Sequence, residues 1–138
     1  GITYSKEINN QEKSMILDIF KNSGDLMEVP EEKMHAVTAI SGSGPAYFFY
    51  FTEELIKAGV AAGLSPEESR ILASKTLFGS GKLLIESSDS AEMLRKKVTS
   101  PKGTTEASIN SFISNQVGEK IDQAVKANIK RSKELAGE

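Results

Sequence analysis

Cysteine is missing from the 138 residues, so the chain has neither a disulfide framework nor a thiolate nucleophile. Histidine occurs once, at His35, which is too few to build a zinc site. His35 reads as a partly exposed helix residue and not as a catalytic base. Basic charge is not in excess either: a formal net charge of -2 and a pI near 5.6 leave no electrostatic footprint for nucleic acid. The longest uncharged apolar stretch, Tyr47 to Phe51, falls far short of the roughly 18 residues that a membrane-spanning helix needs. Gly1-Ile2-Thr3-Tyr4 does not begin a signal peptide. The expectation is a soluble, cytoplasmic protein with no metal, nucleic-acid or membrane partner. What is present, 38% hydrophobic and 26% charged residues, suits one ordinary core, or one domain carrying a piece of another.

The first segment differs from the rest. "ITYS" suits a strand, "NNQEKSMILDIFKNSG" suits a helix with Asn10 as N-cap and Gly24 just past its end, and "DLMEV" suits a second strand. Residues 1–30 therefore read as the trailing βαβ piece of a larger α/β unit, because two short strands do not make a stable sheet alone. After Pro30 the pattern is helical. "EEKMHAVTAI" leads to the break "SGSGP", and a helix from Ala46 to about Gly63 follows with apolar residues on two faces, Phe48, Phe51, Leu55, Ala58 and Ala62 on one and Phe49, Ile56 and Val60 on the other. That distribution predicts burial on most sides.

"LSPEESRILASKTLFGSGKLLIE" opens with a capping box, Ser65 as N-cap and Glu68 three residues on, with Pro66 at the first helical position. Gly79 and Gly81 lie inside this helix, where each costs about 1 kcal/mol relative to alanine. Small residues at Ala58, Gly59, Ala61, Ala62 and Gly63 stud the preceding helix. Together they predict close helix-on-helix packing. "SAEMLRKKV", "EASINSF" and "GEKIDQAVKANIKRSKEL" add further helical segments, the last with Ile121, Val125, Asn128, Ser132 and Leu135 in step.

Two glycine-centred breaks carry the chemistry. In "AVTAISGSGPAYFFYF" a dinucleotide fingerprint fails, because Tyr47 stands where a small residue is needed and Pro45 removes an N–H donor. A nucleophile elbow centred on Ser43 fails as well, since position 41 is Ser41 and no histidine follows to act as base. A bent joint remains, in which Pro45 interrupts the hydrogen bonding and serine hydroxyls stand free at the start of a new helix. In "VTSPKGTTEASINSF", Ser100, Gly103, Thr104 and Thr105 stand directly before a helix, where free N–H groups and the positive end of the dipole suit a carboxylate. Capping by Thr104 or Thr105 alone is the commoner reading of such spacing.

These two blocks, joined by "AGVAAGLSPEESRILASKTLFGSGKLL", resemble the C-terminal part of the pyrroline-5-carboxylate reductases, and the resemblance covers essentially the whole chain. It implies a mainly α fold: residues 31–138 as an all-helical dimerisation and substrate-binding domain, preceded by the βαβ remnant of a Rossmann domain. It implies NADPH or NADH as cofactor, bound mainly by an N-terminal domain whose fingerprint glycines are not in this sequence. The implied partners are a second copy of the chain, with rings of dimers in some members, and a small-molecule imine. Carried over residue by residue, Ser100, Lys102, Gly103 and Thr104 match the loop that grips the substrate carboxylate through backbone amides. Thr105 matches the threonine at the ring nitrogen, the one residue assigned to catalysis, and Ser43 matches a cleft-lining position. Lys102 departs from the family's usual glycine. The alternative is a self-associating helical module with no chemistry of its own.

Overall fold

The computed structural model describes residues 1–138, which are mostly helical. Helix α1 spans Asn10–Phe20, and its N-cap is Asn9, one residue before the expected Asn10. Asn9 Oδ1 accepts from the N–H of Gln11 and of Glu12, while the Glu12 carboxylate accepts from the N–H of Asn9. A complete capping box thus outcompetes Asn10, whose reciprocal residue three positions on would be Lys13. The two expected strands on either side of α1 reduce to a single parallel bridge, Ile2 to Glu28. Ile2 N–H donates to Met27 O at 2.8 Å and Val29 N–H to Ile2 O at 2.9 Å. Parallel pairing in the expected sense is present, but a ladder needs further strands to extend it.

A 3-10 turn at Glu31–Lys33 and helix α2, Met34–Val37, run into a π-helical turn at Thr38–Gly42. Helices α3, Gly44–Ala61, and α4, Pro66–Glu86, follow, and then α5, Ala91–Lys97, α6, Thr104–Ser114, and α7, Val117–Ala136. No helix is long and apolar enough to cross a membrane.

The chain separates into two compact units, one of residues 1–43 and 125–138, the other of residues 44–124. In the first, α2 is fastened to the end of α7. His35 Nδ1 lies 2.8 Å from Ser132 Oγ, and its Nε2 lies 3.2 Å from Glu138 Oε2. The sole histidine is therefore a structural clasp on the helix it was expected to occupy.

In the second unit α3 packs on α4. The closest approach is at Gly59, where an added Cβ would sit 2.7 Å from Ser69 Oγ and 3.2 Å from Ser69 Cβ. The α3 end is closed by a Schellman turn: Gly63 has φ +102, Gly63 N–H donates to Val60 O at 3.0 Å and Leu64 N–H to Gly59 O at 3.1 Å. At α4 the expected capping box is present, Ser65 and Glu68 bonding reciprocally at 3.2 and 2.8 Å with Pro66 in the first turn. The rings of Phe51 and Phe112 meet edge-on at 6.4 Å and tie α3 to α6.

Only Ala39, Gly44 and Ser69 are buried in the whole chain. Burial of α3 on most sides is not observed: Phe48, Phe49 and Tyr50 are 59, 68 and 65% exposed. On α4, Phe78 is 70% exposed, and nothing lies within 4 Å of a Cβ built at Gly79 or Gly81. The close packing expected of the small residues is thus present at Gly59 and has no counterpart within the chain at Gly79 and Gly81. The accessible surface is 10906 Å², against about 7,000 Å² for a folded monomer of 14.9 kDa.

Candidate functional site

Helix α5 delivers the chain to the Ser100–Thr105 loop. Its N-cap is Ser90, which accepts from Met93 N–H at 3.2 Å, and its last turn is held by an ion pair between Lys97 and Asp89. The Lys97 ammonium beside Asp89 keeps that carboxyl below the usual carboxylate range. Thr99 then closes the helix end, its hydroxyl donating to Arg95 O at 2.6 Å. The loop that follows is a tight turn in which Gly103 N–H donates to Ser100 O at 3.0 Å.

Two features of this turn were hidden at the level of sequence. Lys102 takes the left-handed conformation, φ +60. Glycine adopts that region freely, whereas a lysine there is disfavoured by about 1–2 kcal/mol. Lys102 therefore occupies a glycine-type backbone geometry. Gly103, by contrast, has an ordinary extended backbone, φ -84 and ψ 169. Its requirement is spatial: an added Cβ would collide with Ser100 Oγ and lie 3.0 Å from Ser100 O.

Gly103 is the N-cap of α6 and has no side chain with which to cap it. Neither Thr104 nor Thr105 takes that role. Instead the Glu106 carboxylate reaches back and accepts the N–H of Lys102 at 2.8 Å. The first main-chain bond of α6 is Ala107 N–H to Gly103 O at 3.2 Å. The N–H groups of Thr104, Thr105 and Glu106 therefore point out of the helix end without an acceptor in the chain, as the first turn of a helix requires. Both threonine side chains are exposed, and neither hydroxyl is engaged in a bond within the turn. Three convergent donors, two free hydroxyls and the positive end of an eleven-residue helix dipole suit an anionic group of carboxylate size. Lys102 adds an exposed cation beside them.

Ser43 lies in the other compact unit. The joint is a break, as expected: Ser43 N–H donates to Thr38 O at 2.8 Å, a π-type bond that closes the Thr38–Gly42 turn, and α3 restarts at Gly44. Pro45 falls in the first turn of α3, where a missing N–H costs nothing. The serine hydroxyls expected to stand free are both engaged. Ser41 Oγ donates to Val37 O at 3.0 Å, and Ser43 Oγ accepts from Asn128 Nδ2 at 2.9 Å. Asn128 is the residue that sequence reasoning missed, having placed it only among the in-step positions of α7. Its amide, one of two polar residues with Ser132 on that stripe, was the available signal. Ser100, Lys102 and Gly103 thus share one turn that leads directly into Thr104 and Thr105 at the start of α6, while Ser43 bonds Asn128 in the other unit.

Residues 31–135 match the family described as "Pyrroline-5-carboxylate reductase dimerisation". Pyrroline-5-carboxylate reductase 1 of Bacillus subtilis is 38% identical over 136 residues, covering 99% of this chain and 46% of that protein. The pyrroline-5-carboxylate reductase of Mycobacterium leprae is 39% identical over 145 residues, covering 93% of this chain and 49% of that protein. Among solved structures, the enzyme of Coxiella burnetii superposes with a TM-score of 0.90 at 33% identity, over 96% of this chain and 50% of the other. The Plasmodium falciparum pyrroline carboxylate reductase with NADP bound gives 0.86 at 37% identity, over 95% and 53%. The chain spans about half the length of these relatives, and with its helical architecture and its match to the dimerisation region it belongs to the pyrroline-5-carboxylate reductase family.

Proposed function

We propose that this chain supplies the substrate loop and the self-association surface of a reductase that converts 1-pyrroline-5-carboxylate to proline with NADPH or NADH. The observation that carries the reading is the set of unsatisfied N–H groups at Thr104, Thr105 and Glu106 beside the free Thr105 hydroxyl. A cyclic imino acid offers two handles at fixed separation, a carboxylate and a ring nitrogen. The amides, with Ser100 and Lys102 at the rim, hold the carboxylate, and the Thr105 hydroxyl hydrogen-bonds the nitrogen as its charge changes. A threonine hydroxyl is too weak an acid to be a tuned proton donor near neutral pH, so Thr105 orients the imine, and fixed orientation supplies much of the rate. Residues 1–30 then belong with the cofactor domain and residues 31–138 with the helical domain.

The residues present do not fit a dinucleotide. Gly42 lies in the π-turn and Gly44 in α3, Pro45 offers no N–H, Tyr47 stands where a small residue is needed, and the Ser41 and Ser43 hydroxyls are bonded within the chain, which speaks against a glycine-rich phosphate cradle there. The Plasmodium relative carries NADP, and on our reading the cofactor is held by residues outside this sequence.

Thr105→Ala in the full-length enzyme is the test. Loss of a hydrogen bond that matters most in the transition state should lower kcat by about 1–3 kcal/mol in barrier while KM moves less. Full kcat per folded protein in that variant would refute the assignment.

Self-association has its own support, the surface excess of roughly 3,900 Å² over a monomer of this mass. Over two chains this amounts to about 7,800 Å², more than the roughly 2,000–5,000 Å² that an obligate homodimer interface buries. Sedimentation equilibrium at high micromolar concentration should return twice the chain mass, and a species at 14.9 kDa would contradict the dimer. The same surface favours a second reading, a helical module that associates without chemistry. Under it Thr105→Ala changes only stability.

A further inference from the structure

We infer that Glu106 is a positioning residue for the substrate loop, holding the turn in the conformation that presents its amides. The inference rests on the function proposed above and deepens it, because no role for this side chain follows from the loop residues themselves. Glu106 stands at the third position of α6, half-buried, and its Oε2 accepts the Lys102 N–H at 2.8 Å. Lys102 is the residue in the left-handed conformation. A lysine in that conformation tends to relax to the ordinary helical or extended region, and relaxation would swing the N–H of Lys102 and the Ser100–Gly103 turn away from their present orientation. The Gly103 N–H to Ser100 O bond at 3.0 Å closes the turn from inside, and the Glu106 bond closes it from the helix side.

Directing Glu106 to Lys102 has a second effect. A carboxylate at the third position of a helix ordinarily serves the N-cap N–H. Here the Gly103 N–H is already taken by Ser100 O, and Glu106 reaches one residue further back. The amides of Thr104 and Thr105 are left for a ligand, and the side-chain carboxylate is tied to the far side of the turn. The bond needs an acceptor at this position and not a charge, so glutamine should serve in its place.

The test compares Glu106→Ala with Glu106→Gln in the full-length enzyme. Three readouts are needed: steady-state kinetics, calorimetric binding of cyclopentanecarboxylate, and amide exchange at Lys102. That probe keeps the five-membered ring and carboxylate and lacks the imine. Glu106→Ala should raise KM and the probe's Kd by roughly tenfold, the equivalent of one lost hydrogen bond, with kcat within about twofold. Its Lys102 amide should exchange faster. Glu106→Gln should restore both KM and Kd to within about threefold of the starting enzyme and keep the amide protected. Unchanged Kd for the probe in Glu106→Ala would overturn the inference, as would kinetic changes that merely follow the folded fraction measured by thermal melting. An enzyme that binds the probe with the expected Glu106 dependence but does not reduce the imine would refute the proposed reaction and leave the role of Glu106 standing.

Discussion

The two glycine-centred joints of this chain look alike in sequence and differ in how their polar groups are used. Around Ser43 the two serine hydroxyls are both engaged within the chain. The π-type bond to Thr38, the Ser41 bond to Val37 and the Asn128 bond to Ser43 leave little for an outside molecule. Around Gly103 the opposite holds, because one side chain, Glu106, takes a single N–H of the turn and three helix amides stay without an acceptor. A bend that satisfies its own groups is scaffold, and a bend that leaves them open in one direction is a candidate binding site. Glycine content does not separate the two, but the engagement of their side-chain hydroxyls does.

Variants at each joint put this contrast at risk. The largest effect is expected from Gly103→Val. Its branched side chain would collide with Ser100, and overpacking a tight turn costs about 1–3 kcal/mol, here read out as a KM raised by up to about a hundredfold. A folded variant with unaltered KM would break the assignment of this turn to the substrate. Asn128→Ala probes the other joint. Removing the Ser43 bond should lower stability by about 1–2 kcal/mol in thermal or denaturant unfolding, with kcat/KM per folded enzyme unmoved. A kinetic defect without a stability defect would assign Ser43 to the cleft and reverse the comparison. The smallest effect is expected at Lys102→Gly, which relieves a left-handed lysine and should raise stability by about 0.5–1 kcal/mol. The gain is limited because glycine also frees the unfolded chain. Loss of stability there would mean that the lysine side chain contributes more than its backbone costs.

What was legible in the sequence was local. The Ser65, Pro66, Glu68 signature places α4 correctly because all its interactions lie within four residues. The candidate loop stood out by its place before a helix, while its assignment to a substrate rested on the family resemblance; Ser100, Lys102 and Gly103 fall in one turn that leads into Thr104 and Thr105 of α6. The left-handed Lys102 was not legible, since nothing in the letters separates a strained lysine from an ordinary one. The break between Gly42 and Gly44 was legible, whereas the π-type bonding of Thr38–Gly42 before it was not. At residues 1–30 the β-type composition and the parallel sense of Ile2 and Glu28 were anticipated, but a ladder depends on neighbours that local propensity does not supply. Burial of α3 failed for the same reason: an apolar face on two sides says that something covers the helix, not which chain provides it.

The near-absence of buried residues has a consequence for thermodynamics. A chain whose Phe48, Phe49 and Phe78 face outward has no self-contained core to melt, so on the dimer reading folding and assembly are one equilibrium. Its unfolding midpoint then depends on protein concentration, and each tenfold dilution removes about 1.4 kcal/mol of apparent stability per dimer. The usual distinction between surface and interior substitutions dissolves for these positions. On that reading truncating Phe49, which is exposed on one copy, would act as a core deletion in the pair.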